Sequence, residues 1–150
     1  HYDHAGGNIM APDVPILVQQ RELEHARSVG AAGGYVSADF ETGQSLSMVN
    51  GKHDLFRDGS IVCIPTFGHT PGHQSLKVKT ATDTYILAGD ACYLRRTLDN
   101  MHLPRFRHDD QQMLASLRTL RILQTRGARI MYGHDPEFWE SIPQAPARLA

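Results

Sequence analysis

Histidine and aspartate side chains stand beside glycine at four places along the chain. They are His1-Tyr2-Asp3-His4 before Gly6-Gly7, the segment GHTPGHQS at 68–75, Gly89-Asp90, and Gly133-His134. Zn(II) binds imidazole nitrogen and carboxylate oxygen readily, and closely spaced ligands can divide between two adjacent ions. A single histidine of this kind is more often an ordinary surface residue. Because the pattern recurs four times, the sequence predicts a metal site.

An apolar segment precedes each of the last three clusters. The segments 61–67, 84–87 and 128–132 are short, rich in branched side chains and bounded by turn residues, which predicts strands. Loops at strand ends are where functional residues gather, so three strand ends would each present one ligand. The first cluster is predicted to lie on a loop, because Gly6 and Gly7 permit tight turns.

The remaining pattern predicts a mixed α/β chain. A strand at 16–19 precedes a helix at 21–28 and a glycine-rich stretch at 30–34. Five strands between residues 45 and 87 are predicted to form an antiparallel meander, at 46–49, 52–56, 61–67, 74–79 and 84–87. An irregular basic and aromatic stretch follows Asp90. A helix is predicted at 110–126, capped by Asp109 or Asp110 and ended by Gly127, with a short last helix around Phe138.

Composition and charge limit the classes of partner that the protein is expected to bind. Lys and Arg total 15 against 16 acidic residues among 150, so the formal net charge of −1 favours a small-molecule substrate over nucleic acid or a membrane. Cys63 and Cys92 form no CxxC pair, which argues against a disulfide framework and a thiolate metal site. The chain length suits one domain, 1–150. The cysteine usage is compatible with a reducing compartment, and a cytoplasmic location is expected.

Taken together, these motifs resemble those of the metallo-β-lactamase superfamily over the whole chain. His1-x-Asp3-His4 resembles the latter part of its HxHxDH motif, and the other three clusters resemble its remaining ligand motifs. The resemblance implies an α/β (layered α+β) fold, an αβ/βα sandwich of which this chain is the C-terminal part. It also implies two zinc ions. Their ligands would be His1 and His69 on one ion, Asp3, His4 and His134 on the other, and a bridging Asp90.

The runs Asp90-Ala91-Cys92-Tyr93 and YGHDPE at 132–137 resemble the quorum-quenching branch, the N-acyl homoserine lactone lactonases. That resemblance implies a hydrolase in which a hydroxide between the two zinc ions opens the lactone ring. Tyr93 would hydrogen-bond the substrate, although a half-buried core tyrosine is the alternative. Asp3 would bind metal and also protonate the leaving oxygen. His73 would orient its loop without binding metal, with a plain surface residue as the alternative.

One ligand of the family motif has no counterpart. The first histidine of HxHxDH would fall two residues before His1. We therefore expect the chain to lack an N-terminal portion of its domain and to need that upstream segment to cover an apolar sheet face. Three alternatives stay open. They are another dinuclear-zinc hydrolase (a glyoxalase II-type thioesterase, a β-lactamase or a phosphodiesterase), a catalytically inactive metal-binding fragment, and a copper site at His1. Homodimer formation is also left open.

The other histidines and the basic stretch after Asp90 are interpreted more simply. His25, His53, His102 and His108 are expected to be surface or structural residues. The arginines of the basic stretch lie near the expected site entrance and could contact a polar acyl amide, but a solvated loop is the preferred interpretation. They are Arg95, Arg96, Arg105 and Arg107.

Overall fold

The computed structural model describes residues 1–147, and the chain divides after Gly51 into two compact units. Both units contain helices and strands, which confirms the predicted α/β class. The first unit carries His1, Asp3 and His4, and the second carries the other predicted ligands.

In the first unit, two short strands pair in parallel, and a helix lies in the connection between them. Its elements are α1 (Tyr2–Ala5), β1 (Ile16–Gln19), α2 (Gln20–Val29) and β2 (Leu46–Val49). Ile16 lies opposite Leu46 and Gln19 opposite Val49. Parallel strands need a long crossover connection, and α2 supplies it. The helix buries Leu23 and Ala26.

Two predictions for this unit are wrong. Residues 46–49 do not begin an antiparallel meander, because β2 pairs with β1. The Asn50-Gly51 turn makes no hairpin. The Gln19 side chain hydrogen-bonds the Gly51 backbone instead: it accepts from the Gly51 N–H and donates to the Gly51 C=O, each at 2.8 Å. The opening residues are one helical turn and not a loop. The His4 and Ala5 amides bond the His1 carbonyl at 3.1 and 2.9 Å.

The second unit is built on a five-stranded sheet of order β3-β4-β5-β6-β7. The strands are β3 (His53–Asp54), β4 (Ile61–Pro65), β5 (Gln74–Lys79), β6 (Thr84–Leu87) and β7 (Arg129–Met131). Neighbours are antiparallel except β6 and β7, which are parallel. Strands β4, β6 and β7 therefore run in one direction, and their carboxyl ends meet at one edge of the sheet.

Within residues 52–147, three α-helices complete this unit: α3 (Arg95–Asn100), α4 (Asp110–Thr125) and α5 (Pro136–Glu140). The predicted cap of α4 is confirmed, because the Asp109 carboxylate accepts from the Gln112 amide at 2.8 Å. That bond holds the pKa of Asp109 below its usual value. The core lies between α4 and the sheet, where Ile86, Leu117 and Leu120 are fully buried. No helix within residues 1–147 is long and apolar enough to cross a membrane.

Helix α3 occupies part of the stretch that was predicted to be irregular. Its short sequence has little helical periodicity, but Thr97 and Leu98 are buried. The Arg95 amide at its start donates to the Asp135 carboxylate at 2.7 Å. A contact with a residue 40 positions later therefore holds the helix start, and local sequence patterns cannot reveal such a partner.

Both cysteines are free thiols in the interior of the second unit. Cys63 is 1% exposed and Cys92 is fully buried. Burial raises the pKa of Cys92 to about 12 and also raises the pKa of Cys63. Because the thiolate is the form that binds metal, neither side chain suits a ligand role.

Candidate metal centre

Asp90 lies at the shared edge where β4, β6 and β7 end. It sits in a single 3-10 turn, Gly89–Ala91, directly after β6, and its side chain is 6% exposed. Its two oxygens face different imidazoles. Oδ1 lies 2.8 Å from His134 Nε2, and Oδ2 lies 3.2 Å from His69 Nε2. One buried carboxylate thus stands between two histidines, the arrangement that a bridging ligand requires.

A backbone carbonyl sets the orientation of the His69 ring. His69 Nδ1 lies 3.0 Å from the Phe106 oxygen, which can only accept, so Nδ1 carries the proton. A neutral His69 then presents the lone pair of Nε2 to Asp90 Oδ2. Two acceptors at 3.2 Å repel each other unless a proton or a cation lies with them.

The donor set fits zinc. Ligand atoms about 2.0–2.1 Å from a tetrahedral zinc ion lie about 3.3 Å from one another. The two nitrogen–oxygen distances at Asp90, 3.2 and 2.8 Å, are close to that spacing. Nitrogen and carboxylate oxygen ligands without thiolates are also typical of catalytic zinc sites. The second unit therefore offers three side chains suited to hold metal: His69, Asp90 and His134.

Two backbone bonds hold His134 beside Tyr93. The Gly133 amide donates to Cys92 O and the His134 amide to Tyr93 O, both at 3.0 Å. A Cβ on Gly133 would meet Gly89 O at 2.6 Å, so only glycine permits this close approach to the Asp90 turn. Gly133 thus allows the two turns to pack closely, and His134 supplies the predicted metal ligand.

Tyr93 borders both histidines. Its hydroxyl lies 3.2 Å from His69 Nδ1, and its ring centre lies 5.1 Å from that of His134. The side chain is partly buried. A phenol at this place can donate a hydrogen bond to a substrate oxygen beside the ligands.

The predicted ligands of the first unit share one helical turn. His4 Nε2 lies 3.4 Å from Asp3 Oδ2, and both side chains are about two-fifths exposed, at 43% and 40%. His1 is partly buried, with Nε2 3.1 Å from Gly33 O and its ring 4.8 Å from that of Tyr35. A His1 that donates from Nε2 would coordinate through Nδ1. The assignment of metal ligands in both units stays a prediction.

The residue His73 contacts the Asp90 turn directly. Its Nε2 lies 3.0 Å from the Asp90 amide, and its Nδ1 lies 2.9 Å from the Thr66 hydroxyl. Sequence reasoning missed Thr66, Ser75 and the Phe106 carbonyl as neighbours of the site. Ser75 lies within the GHTPGHQS motif, which was the available signal, whereas a backbone carbonyl 37 residues from His69 leaves no trace in the sequence.

Local contacts hold part of the basic stretch in place. Arg107 bonds the Asp110 carboxylate at 2.5 and 3.1 Å, and Arg105 lies 5.8 Å from the Phe106 ring centre. The His108 amide donates to the backbone of Gly68 at 2.8 Å. The His108 contact holds the segment against the His69 turn and thereby helps to place the Phe106 carbonyl.

Comparison with known proteins adds family information. The family model of the metallo-beta-lactamase superfamily matches residues 1–134. The N-acyl homoserine lactonase AttM of Azorhizobium caulinodans is 34% identical over 155 residues, covering 97% of this chain and 59% of the relative. The N-acyl homoserine lactonase AiiA of Bacillus thuringiensis subsp. kurstaki is 29% identical over 139 residues, covering 91% of this chain and 53% of the relative.

A solved structure is similar across nearly the whole chain. It is an N-acyl homoserine lactone hydrolase with the product N-hexanoyl-L-homoserine bound at the catalytic metal centre. It superimposes with a TM-score of 0.86 at 28% identity, covering 98% of this chain and 57% of that one. The chain thus spans 59% or less of these three proteins.

Proposed function

The chain belongs to the metallo-β-lactamase superfamily, and we propose that the protein is a zinc-dependent hydrolase that opens the lactone ring of N-acyl homoserine lactones. One observation carries the proposal. The buried Asp90 faces His69 and His134 through separate oxygens, and the Tyr93 hydroxyl lies beside them. The names of similar proteins supply the substrate class, because they are N-acyl homoserine lactonases.

The proposed ligand set is the one that the resemblance to the family motifs implies. His69 and His134 would each bind one of two zinc ions, with Asp90 bridging the pair. His1 would join His69 on the first ion, and Asp3 and His4 would join His134 on the second. Zinc bound there would lower the pKa of water toward 7 and polarise the lactone carbonyl.

Residues of the chain would then carry the remaining steps. The Tyr93 hydroxyl would donate a hydrogen bond to the carbonyl oxygen as negative charge develops on it. Asp3 would accept the proton that the attacking water gives up and, when the ring C–O bond breaks, would deliver it to the departing ring oxygen. The product is an N-acyl homoserine, with one water consumed for each ring opened.

Metal content and ring opening, measured together on the full-length protein, test this proposal. We expect about two zinc ions and turnover of N-hexanoyl homoserine lactone. Thioester, β-lactam and phosphodiester substrates assayed in parallel separate the other hydrolases of the superfamily. Zinc without lactone turnover, but with turnover of one of these, would move the assignment to that class. Zinc without any hydrolysis would favour an inactive metal-binding protein.

Tyr93→Phe tests the hydrogen bond to the substrate. Loss of one donor to a developing oxyanion typically lowers kcat by about 10²–10³-fold, and we expect a loss of that size with zinc content unchanged. Tyr85→Phe is the matched control, since the Tyr85 hydroxyl accepts a hydrogen bond from Arg129 at 3.3 Å. A Tyr93→Phe protein with wild-type kcat would show that the phenol has no part in the reaction.

Asp3→Asn separates proton delivery from metal binding. The amide can still offer an oxygen to metal but cannot donate the proton of an acid, so kcat should fall by about 10²–10⁴-fold while zinc content changes little. Asp13→Asn, an exposed carboxylate of the same unit, is the control. Parallel losses of zinc and turnover in Asp3→Asn would contradict the proton-delivery role.

A further inference from the structure

The turn that carries Asp90 is held on both sides of Gly89 by side chains from the β4–β5 region. Before Gly89, the Ser75 hydroxyl donates to the Ala88 carbonyl at 2.9 Å. After Gly89, His73 Nε2 accepts from the Asp90 amide at 3.0 Å. Ala88 and Asp90 flank Gly89, so the two bonds fix the path of the main chain on either side of this glycine.

The bond to the Asp90 amide defines the protonation state of His73. An amide can only donate, so Nε2 must present its lone pair. On the other side of the ring, Nδ1 lies 3.1 Å from the Thr66 carbonyl, which can only accept. The neutral ring with its proton on Nδ1 is therefore the one form of His73 that satisfies both backbone partners.

Thr66 connects the two holding residues to each other. Its hydroxyl lies 2.8 Å from Ser75 Oγ and 2.9 Å from His73 Nδ1. Because Ser75 gives its hydrogen to Ala88, the Thr66 hydroxyl donates to Ser75. The single Nδ1 proton of His73 is then shared between the hydroxyl oxygen and the carbonyl oxygen of Thr66. Every hydrogen runs in one direction, from the Asp90 amide through His73, Thr66 and Ser75 to the Ala88 carbonyl.

Burial and close packing make this network costly to break. Thr66 is fully buried and Ser75 is 1% exposed, so a partner left without its bond would lack water as a substitute. Gly89 has a φ of +54°, and a Cβ there would lie 3.0 Å from His73 Nε2. The glycine thus lets the turn approach the histidine closely enough for the Asp90 amide to bond.

We propose that Thr66 and Ser75, acting through His73 and Ala88, are positioning residues that hold the Asp90 carboxylate divided between His69 and His134. The inference rests on the proposed metal centre. A turn free to rotate about Gly89 would move Oδ1 and Oδ2 together, and one imidazole would lose its oxygen. Residues that orient metal ligands in this way typically contribute about 10- to 100-fold to metal affinity.

Ser75→Ala is the test variant, because it removes one buried oxygen and leaves the strand intact. Ser75→Thr restores a hydroxyl at the same position, and threonine is favoured in strands. Ser116→Ala is the matched control. Ser116 is buried in the same unit and its hydroxyl also donates to a backbone carbonyl, that of Phe67, at 2.6 Å, without a bond to the Asp90 turn.

Two measurements on the full-length protein decide the proposal. In the metal-free protein, hydrogen exchange at the Asp90 amide should be slow in wild type and at least tenfold faster in Ser75→Ala, while nitrogen NMR of wild-type His73 should show the proton on Nδ1. In chelator competition, Ser75→Ala should bind zinc about 10- to 100-fold more weakly. Ser75→Thr and Ser116→Ala should stay within about threefold of wild type in both measurements.

The outcomes separate this inference from the proposed function. Wild-type exchange and zinc affinity in Ser75→Ala, or a His73 proton on Nε2, would overturn the positioning role while leaving a zinc hydrolase in place. A wild-type protein that binds no divalent metal would overturn the proposed function and with it the metal-affinity part of the inference. Equal weakening in Ser75→Ala and Ser116→Ala would reduce the effect to general destabilisation and reject the network.

Discussion

Replacing Asp90 by asparagine is expected to lower the proposed lactone turnover by on the order of a thousandfold, together with a loss of the proposed zinc. The substitution keeps the shape of the side chain but removes the charge that stands between His69 and His134 at 3.2 and 2.8 Å. Metal-ion catalysis contributes several kcal/mol of charge stabilisation, and each 1.36 kcal/mol is a factor of ten in rate. Elemental analysis of the purified protein and the initial rate of ring opening measure the two losses.

Asp83→Asn is the control for this change. Asp83 is a carboxylate of the same unit, but it pairs with Arg129 at 3.3 Å and has no predicted ligand as partner in that ion pair. It should leave both zinc content and turnover near wild type. An Asp90→Asn protein that kept two zinc ions and its activity would exclude Asp90 as the bridging ligand and remove the central support of the proposed mechanism.

Replacing Gly68 by alanine is expected to cause a large loss of stability. Gly68 has a φ of +126°, and an added Cβ would overlap Met113 N and Met113 Cα. Both contacts are with the backbone of α4, which cannot move aside as a flexible side chain could. Strained φ costs about 1–3 kcal/mol, and overpacking adds typically 1–3 kcal/mol. Denaturant unfolding of the metal-free protein measures the sum.

Gly127→Ala separates the two contributions. Gly127 also has a positive φ, +92°, but no atom outside its neighbours lies within 4 Å of an added Cβ. This variant should lose the conformational part alone and therefore unfold at a higher denaturant concentration than Gly68→Ala. Equal midpoints would show that the contact between the His69 turn and α4 adds nothing to the free energy of unfolding.

The site elements that could be predicted from the sequence are those with a local signature. The helix at 110–125, with its Asp109 cap, and the strands at 16–19, 74–79 and 84–87 match the prediction closely. Periodicity and turn residues depend on neighbours in the chain, so they can be recognised in the sequence before the fold is known. The pairing of 46–49 was wrong because a strand of four residues suits several partners. In the folded chain it pairs with β1, beside the Gln19 side chain that bonds the Gly51 backbone.

By itself, the sequence determined the residue types and their spacing: nitrogen and carboxylate donors at the ends of apolar strands, and the family they resemble. Only the tertiary structure decided which donor atoms and acceptor atoms of these residues face one another. The direction of β4, β6 and β7 brings His69, Asp90 and His134 to one edge, and the Phe106 carbonyl fixes the tautomer of His69. A hydrogen bond depends on distance and angle between groups far apart in sequence, so its partners exist as partners only once the chain has folded.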